Sequence, residues 1–157
     1  MTSLEPGRLA VPRILAVVVA IATAFGAVLA DLVVPAGAAQ HLYNDAWPPH
    51  AKFHDAQYIA MTVLLSVIAV VLLLRRNARS RSDLRLACAI LSTPWLALLS
   101  APLFPGTAVH DPEFDNPTVL GLHPQVFMAG VLLILLLIAV LLGTRVVEKP
   151  AGPAAGR

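Results

Sequence analysis

The sequence predicts an all-α bundle of four transmembrane helices. Three observations predict it. Charged residues make up 13% of the 157 residues, against 58% hydrophobic, whereas soluble domains carry about 25% charged residues. Four separate stretches are apolar over about the 20 residues that cross a bilayer core. The arginines gather between the second and third of these stretches, which gives the bundle two chemically different ends. Mean hydropathy is +0.79. The net charge of +2 is too small to indicate a nucleic-acid partner, and basic residues do not interleave with aromatics. The one cysteine, Cys88, has no partner for an intramolecular disulfide or a redox pair.

Residues 1–13 are polar and contain Pro6 and Pro12, and read as a cytoplasmic tail. Residues 14–34 form the first span, TM1, interrupted only by Thr23 and Asp31. A cleaved signal peptide is the competing reading, but the apolar stretch exceeds the roughly 7–15 residues of a signal core. Ala22, Gly26 and Ala30 recur every fourth residue, a small-residue row that admits a close neighbour helix and leaves homodimerisation or a partner membrane subunit open. TM2 covers about residues 49–74. A helix of that length spans roughly 39 Å, more than the ~30 Å hydrocarbon core, so its first turns extend beyond the outer membrane face. TM3 covers 86–104, with Pro94 expected to kink it by removing a backbone hydrogen bond. TM4 covers 123–143. Residues 14–147 then make a single membrane domain, and 148–157 a disordered cytoplasmic tail.

Charge sets the orientation. Residues 75–85 carry five arginines, residues 35–58 a single Lys52, and residues 105–125 no Lys or Arg. By the positive-inside rule the arginine loop is cytoplasmic. Both termini are then cytoplasmic (N-in, C-in), the lipid bilayer is the plasma (inner) membrane, and all five histidines lie toward the outer side.

The chemistry concentrates in Trp47-Pro48-Pro49-His50-Ala51-Lys52-Phe53-His54-Asp55-Ala56-Gln57-Tyr58. Proline suits the first helical turn, where its missing N–H would be unsatisfied anyway. A helix starting there puts His50 and His54 one turn apart on one face, with Gln57 and Tyr58 extending the stripe. An i, i+4 histidine pair is a chelating geometry, but zinc or copper needs further ligands. His123, at the start of TM4, and His41 are the candidates for them. Asp55 is placed to orient a ring. A haem held by His54 and His123 is a variant of the same idea. Without metal, His50, His54, Gln57 and Asp55 would act as acid/base groups on a small or lipid-like substrate, with Asp31, Tyr58 and Trp47 in support. The bland reading is interfacial decoration, since His, Trp and Tyr are ordinary residues at a membrane surface. Asp31 likewise either faces the bundle and pairs with a histidine, or marks the end of its span.

The acidic connection His110-Asp111-Pro112-Glu113-Phe114-Asp115-Asn116-Pro117 does not match an EF-hand and reads as a solvated loop. His41 precedes His54 by the same thirteen residues that separate His110 from His123. Identity between the two halves is low, and chance accounts for the spacing better than duplication.

The run from Trp47 to Gln57, following His41 and Asn44, resembles a motif of small uncharacterised four-helix membrane proteins of bacteria and fungi. The resemblance implies a four-span fold with residues 41–57 as signature, and no established activity. Size and span count are also similar to DoxX-like proteins, in shape alone. Two functions remain open: an enzyme or cofactor protein built on the histidines, and a non-catalytic subunit or small-solute or lipid binder.

Overall fold

The computed structural model describes residues 9–75 and 80–145. Residues 1–8 of the expected N-terminal tail (1–13), residues 146–157 including the whole expected C-terminal tail (148–157), and residues 76–79 of the arginine loop lie outside the described residues. Helix α1 covers Ala10–Val28 and passes into a π-helical turn at Leu29–Val33. A four-residue helix, α2, follows at Pro35–Ala38. The long helices α3 (Pro49–Leu74), α4 (Arg81–Ser100) and α5 (Pro124–Arg145) complete the chain. Among the described residues, these four long helices are extensive and apolar enough to cross a membrane, and no strand forms beyond an isolated bridge between Val119 and Leu122.

The helix starts follow local chemistry. Pro48 is extended (φ −66°, ψ 154°) and Pro49 opens α3 at the position where a proline costs no hydrogen bond. Ser80 caps α4 by accepting a hydrogen bond from the Asp83 amide at 3.1 Å. Asp83 also pairs with Arg75 across the break between α3 and α4. Helix α4 therefore begins five residues before the expected Leu86, and α1 four residues before Ile14, so residues 10–13 are helix rather than tail. The helix continues past Pro94, which lacks the N–H for its own rung, to Ser100 and closes in a 3₁₀ turn at Ala101–Leu103.

Packing makes a ring. Helix α1 lies against α3 and α5, α4 lies against the same two, and α1 also meets α4 across the centre. The interior is built largely from small residues: Ala16, Ala20, Ala69, Ala87, Ala129 and Ala139 are buried between Val19, Leu91, Leu132 and Leu136. Small residues let helix backbones approach. The buried row of α1 is Ala16, Ala20, Thr23 and Ala27, one residue out of phase with the expected Ala22–Gly26–Ala30 row, whose members are only partly buried. In the centre Trp95 Nε1 donates to Thr23 Oγ1 at 3.0 Å, giving a buried indole its partner. The outward faces carry Ile14, Phe25, Leu64, Val71, Ile134 and Leu137, all exposed. A soluble protein rarely leaves such continuous apolar surface uncovered.

All long helices are antiparallel to their ring neighbours, so one end of the bundle holds Arg75, Arg81 and Arg85. The other end holds the 34–48 and 104–123 connections, with every histidine in the chain.

Candidate functional site

The stripe on α3 forms as its spacing requires. His54 Nε2 lies 3.1 Å from His50 Nε2, and His54 Nδ1 lies 3.2 Å from Gln57 Oε1. The amide oxygen can only accept, so Nδ1 of His54 carries the proton and Nε2 presents its lone pair to His50. Phe53 lies parallel to the His50 ring at 6.3 Å. His50, Phe53, His54 and Gln57 are all exposed.

The remaining histidines assemble elsewhere, from the two connections at this end. The π-turn at the end of α1 buries Asp31, which is 3% exposed. The chain then doubles back through α2, and Gly37 comes so close that a Cβ there would fall 2.0 Å from the Ala30 carbonyl oxygen. This close turn carries His41 onto Asp31. His41 Nδ1 donates to the Gly37 carbonyl at 2.8 Å, and Asp31 Oδ1 lies 3.3 Å from the same nitrogen. Trp47 meets His41 edge-on at 5.8 Å. Asn44 holds that segment by accepting from the Ala46 amide at 2.9 Å, an Asx turn.

From the other connection, His110 stacks on His123, with parallel rings 5.8 Å apart. A tight turn with positive φ at Leu120 (52°) and Gly121 (79°) delivers the chain into His123 and α5. His123 Nδ1 then accepts a long hydrogen bond from the Gln125 amide at 3.4 Å. Burial, and the nearness of His110 and His41, hold the His123 imidazole below its ordinary pKa. Both features favour a neutral ring with its proton on Nε2. Gln40 and Asn116 lock the two connections together with reciprocal amide bonds of 2.9 Å each. Between the connections lies a pocket of about 260 Å³, lined by His41, His110, His123, Trp47, Gln40 and Gln125, with Asp111 at its edge.

The sequence-derived site is thus divided. His50, His54 and Gln57 share one exposed face, whereas His41 and His123 belong to the pocket and engage other partners. The expected union of His50 and His54 with His123 or His41 is not formed. Among the described residues no three His, Cys, Asp or Glu side chains come together as a metal-binding group. His54 has His50 and Gln57 as neighbours, and His123 has His110 and the Gln125 amide. Asp55 hydrogen-bonds neither imidazole of the stripe; its Oδ2 is buried without a partner. Tyr58 is half-buried and lines a second cavity together with Asp31. Gln40, His110, Asn116 and Gln125 had no place in the expected site. The equal thirteen-residue spacing of His110–His123 and His41–His54 was the one signal that singled out His110.

The fold and this end of it define a class: an all-helical protein with four helices apt to cross a membrane, and a histidine-rich polar cap at one end of the bundle. Residues 14–149 match a family of unknown function, DUF6640, and the chain belongs to that family. No curated protein and no solved structure matches the chain.

Proposed function

We propose that this is a multi-pass protein of the plasma (inner) membrane, with both termini cytoplasmic, that binds a small polar solute in the histidine pocket at its outer face and exchanges a proton with it. The carrying observation is the gathering of His41, His110 and His123, from two separate connections, around one pocket of about 260 Å³. Membrane insertion is supported by the outward apolar faces of all four long helices. Orientation is supported by the arginines at one end and the histidines at the other.

The pocket divides the acid/base work between two rings. His123 is held toward its neutral form, with Nδ1 taken up by the Gln125 amide and an N–H left on Nε2 to donate. His41 stands beside Asp31 with its Nδ1–H turned to the Gly37 carbonyl, which leaves Nε2 to accept. A solute bound between them would meet a donor on one side and an acceptor on the other.

The test has two parts. Ser80→Cys and Asp115→Cys variants, in a Cys88→Ala background, are labelled on intact cells with a membrane-impermeant thiol reagent. Labelling of position 115 but not of position 80 is expected, and the reverse would overturn the orientation. The detergent-purified protein is then melted with inorganic phosphate, small hydroxy acids and amino acids. At least one class should raise Tm in a saturable way, and His110→Ala/His123→Ala should abolish the shift. No shift with any class in a folded sample would overturn the pocket reading.

A second reading rests on one distance. The 3.1 Å between His50 Nε2 and His54 Nε2 suits a shared metal ion whose remaining ligands come from water or a second protein.

A further inference from the structure

A second cavity lies deeper in the bundle than the histidine pocket. Its volume is about 200 Å³, and its walls include Gly26, Ala30, Tyr58, Trp95 and Met128, with Asp31 as its carboxylate. The cavity is real space beside α1: a Cβ built on Gly26 would meet nothing within 4 Å. An engineered apolar cavity of about 150 Å³ accepts benzene, so this one admits a ring with a short side chain.

Asp31 gives the cavity its chemistry. It is 3% exposed, and its Oδ1 has no hydrogen-bond partner. His41 Nδ1 is 3.3 Å from that oxygen, but its hydrogen is directed to the Gly37 carbonyl. The titratable groups that face Asp31 are His41, Asp55 and Tyr58. Asp55 also has a buried oxygen, Oδ2, without a partner. The region therefore sets two carboxylates against one imidazole, and no Lys or Arg lines the cavity. A carboxylate in a largely apolar wall, with one imidazole and neither Lys nor Arg beside it, is costly and favours a donor carrying positive charge. Among the described residues no metal-binding group of three side chains exists, which argues against a bare metal ion. An organic ammonium meets both demands. Its N–H groups and charge suit the Asp31 carboxylate, and its apolar body fits the small-residue wall beside Trp95.

We infer that the cavity under Asp31 is a binding site for a small organic ammonium ion with an apolar body. The site goes beyond the histidine pocket and does not depend on it, although Gln125 borders both.

The test uses the full chain in detergent with Trp47→Phe, which leaves Trp95 as the one remaining tryptophan. Benzylammonium and its neutral analogue benzyl alcohol are titrated while Trp95 fluorescence is followed. Saturable binding of benzylammonium is expected, at least tenfold tighter than that of the alcohol. Asp31→Asn should weaken ammonium binding at least tenfold and leave alcohol binding unchanged. Gly26→Leu, which fills the cavity, should remove the saturable response to both. No saturable response to benzylammonium in the parent protein overturns the inference, as does equal affinity for the alcohol. Undiminished ammonium binding in either folded variant overturns it too. If Asp31→Asn does not fold, the charged-versus-neutral comparison and Gly26→Leu still decide. A His110→Ala/His123→Ala protein should bind benzylammonium normally, so failure of the histidine pocket and failure of this site are told apart.

Discussion

Gln40 and Asn116, 76 residues apart, exchange two amide hydrogen bonds of 2.9 Å and so tie the two connections at the histidine end into one cap. Gln40 also lines the histidine pocket. Each single substitution to Ala should lower stability by about 1 kcal/mol, because the surviving amide keeps a half-buried polar group without its partner. The double variant should cost less than the sum of the singles, as expected for a pair that acts as a unit. Denaturant melts of the three variants measure the coupling, and strict additivity would show that the clasp is incidental.

Gly37 is held against the carbonyl of Ala30, where a Cβ would come within 2.0 Å of a backbone oxygen. Backbone cannot swing aside as a side chain can. Gly37→Ala should therefore destabilise the protein by about 1–3 kcal/mol, the usual range for overpacking. It should also disturb His41, whose ring bonds to the Gly37 carbonyl. A shift of the His41 ring nitrogen signals, seen by NMR with the other histidines unchanged, would confirm the link; an unaffected melting curve would refute it.

The lowered pKa of His123 has a definite consequence for stability. The folded state binds its proton less readily than the unfolded chain does, first because of burial and then because of His110 and His41. Native stability is therefore highest above about pH 6.5, the ordinary histidine value, and falls as pH drops through the window between that value and the lowered folded one. His123→Gln should flatten this part of the stability–pH curve. A wild-type curve with no slope there, or an unchanged slope in the variant, would count against the assignment.

The His50–His54 pair makes the metal reading measurable. With metal–nitrogen bonds of about 2.0–2.1 Å, a nitrogen separation near 3.1 Å corresponds to an angle of roughly 100° at the metal, close to tetrahedral. Zinc bound by the purified protein should fall at least tenfold in affinity on His50→Ala or His54→Ala. It should fall less on Gln57→Ala, which removes only the group that fixes the His54 tautomer. Elemental analysis after dialysis gives the answer, and equal retention by all four proteins would exclude the pair as a chelate.

Leu120 adopts φ 52° in the turn before His123 and is 88% exposed. A bulky side chain gains nothing in that conformation, which Asn tolerates far better. Leu120→Asn should raise stability by up to about 1 kcal/mol without altering the pocket. A lower Tm would mean that Leu120 is covered by a contact, the bilayer surface included.

The four apolar runs, their helical state and the His50–His54–Gln57 face are all legible in the chain, because each depends on neighbours within one or two helical turns. The helix ends were less so. An apolar run marks where a helix is greasy, not where its hydrogen-bond ladder begins. The Ser80–Asp83 cap, a Ser-x-x-Asp pattern, was the available sign that α4 starts at Arg81. Tertiary structure alone decided the rest. Asp31 meets His41, His110 meets His123 and Gln40 meets Asn116 because two irregular connections fold over the same end of the bundle. Their paths depend on a π-turn, a glycine in close contact and a left-handed turn, none of which has a repeating signature. The same holds for the interior seam of α1: Ala22, Gly26 and Ala30 have the same small size as Ala16, Ala20 and Ala27, and only the rotation imposed by α3 and α5 selects which row is buried.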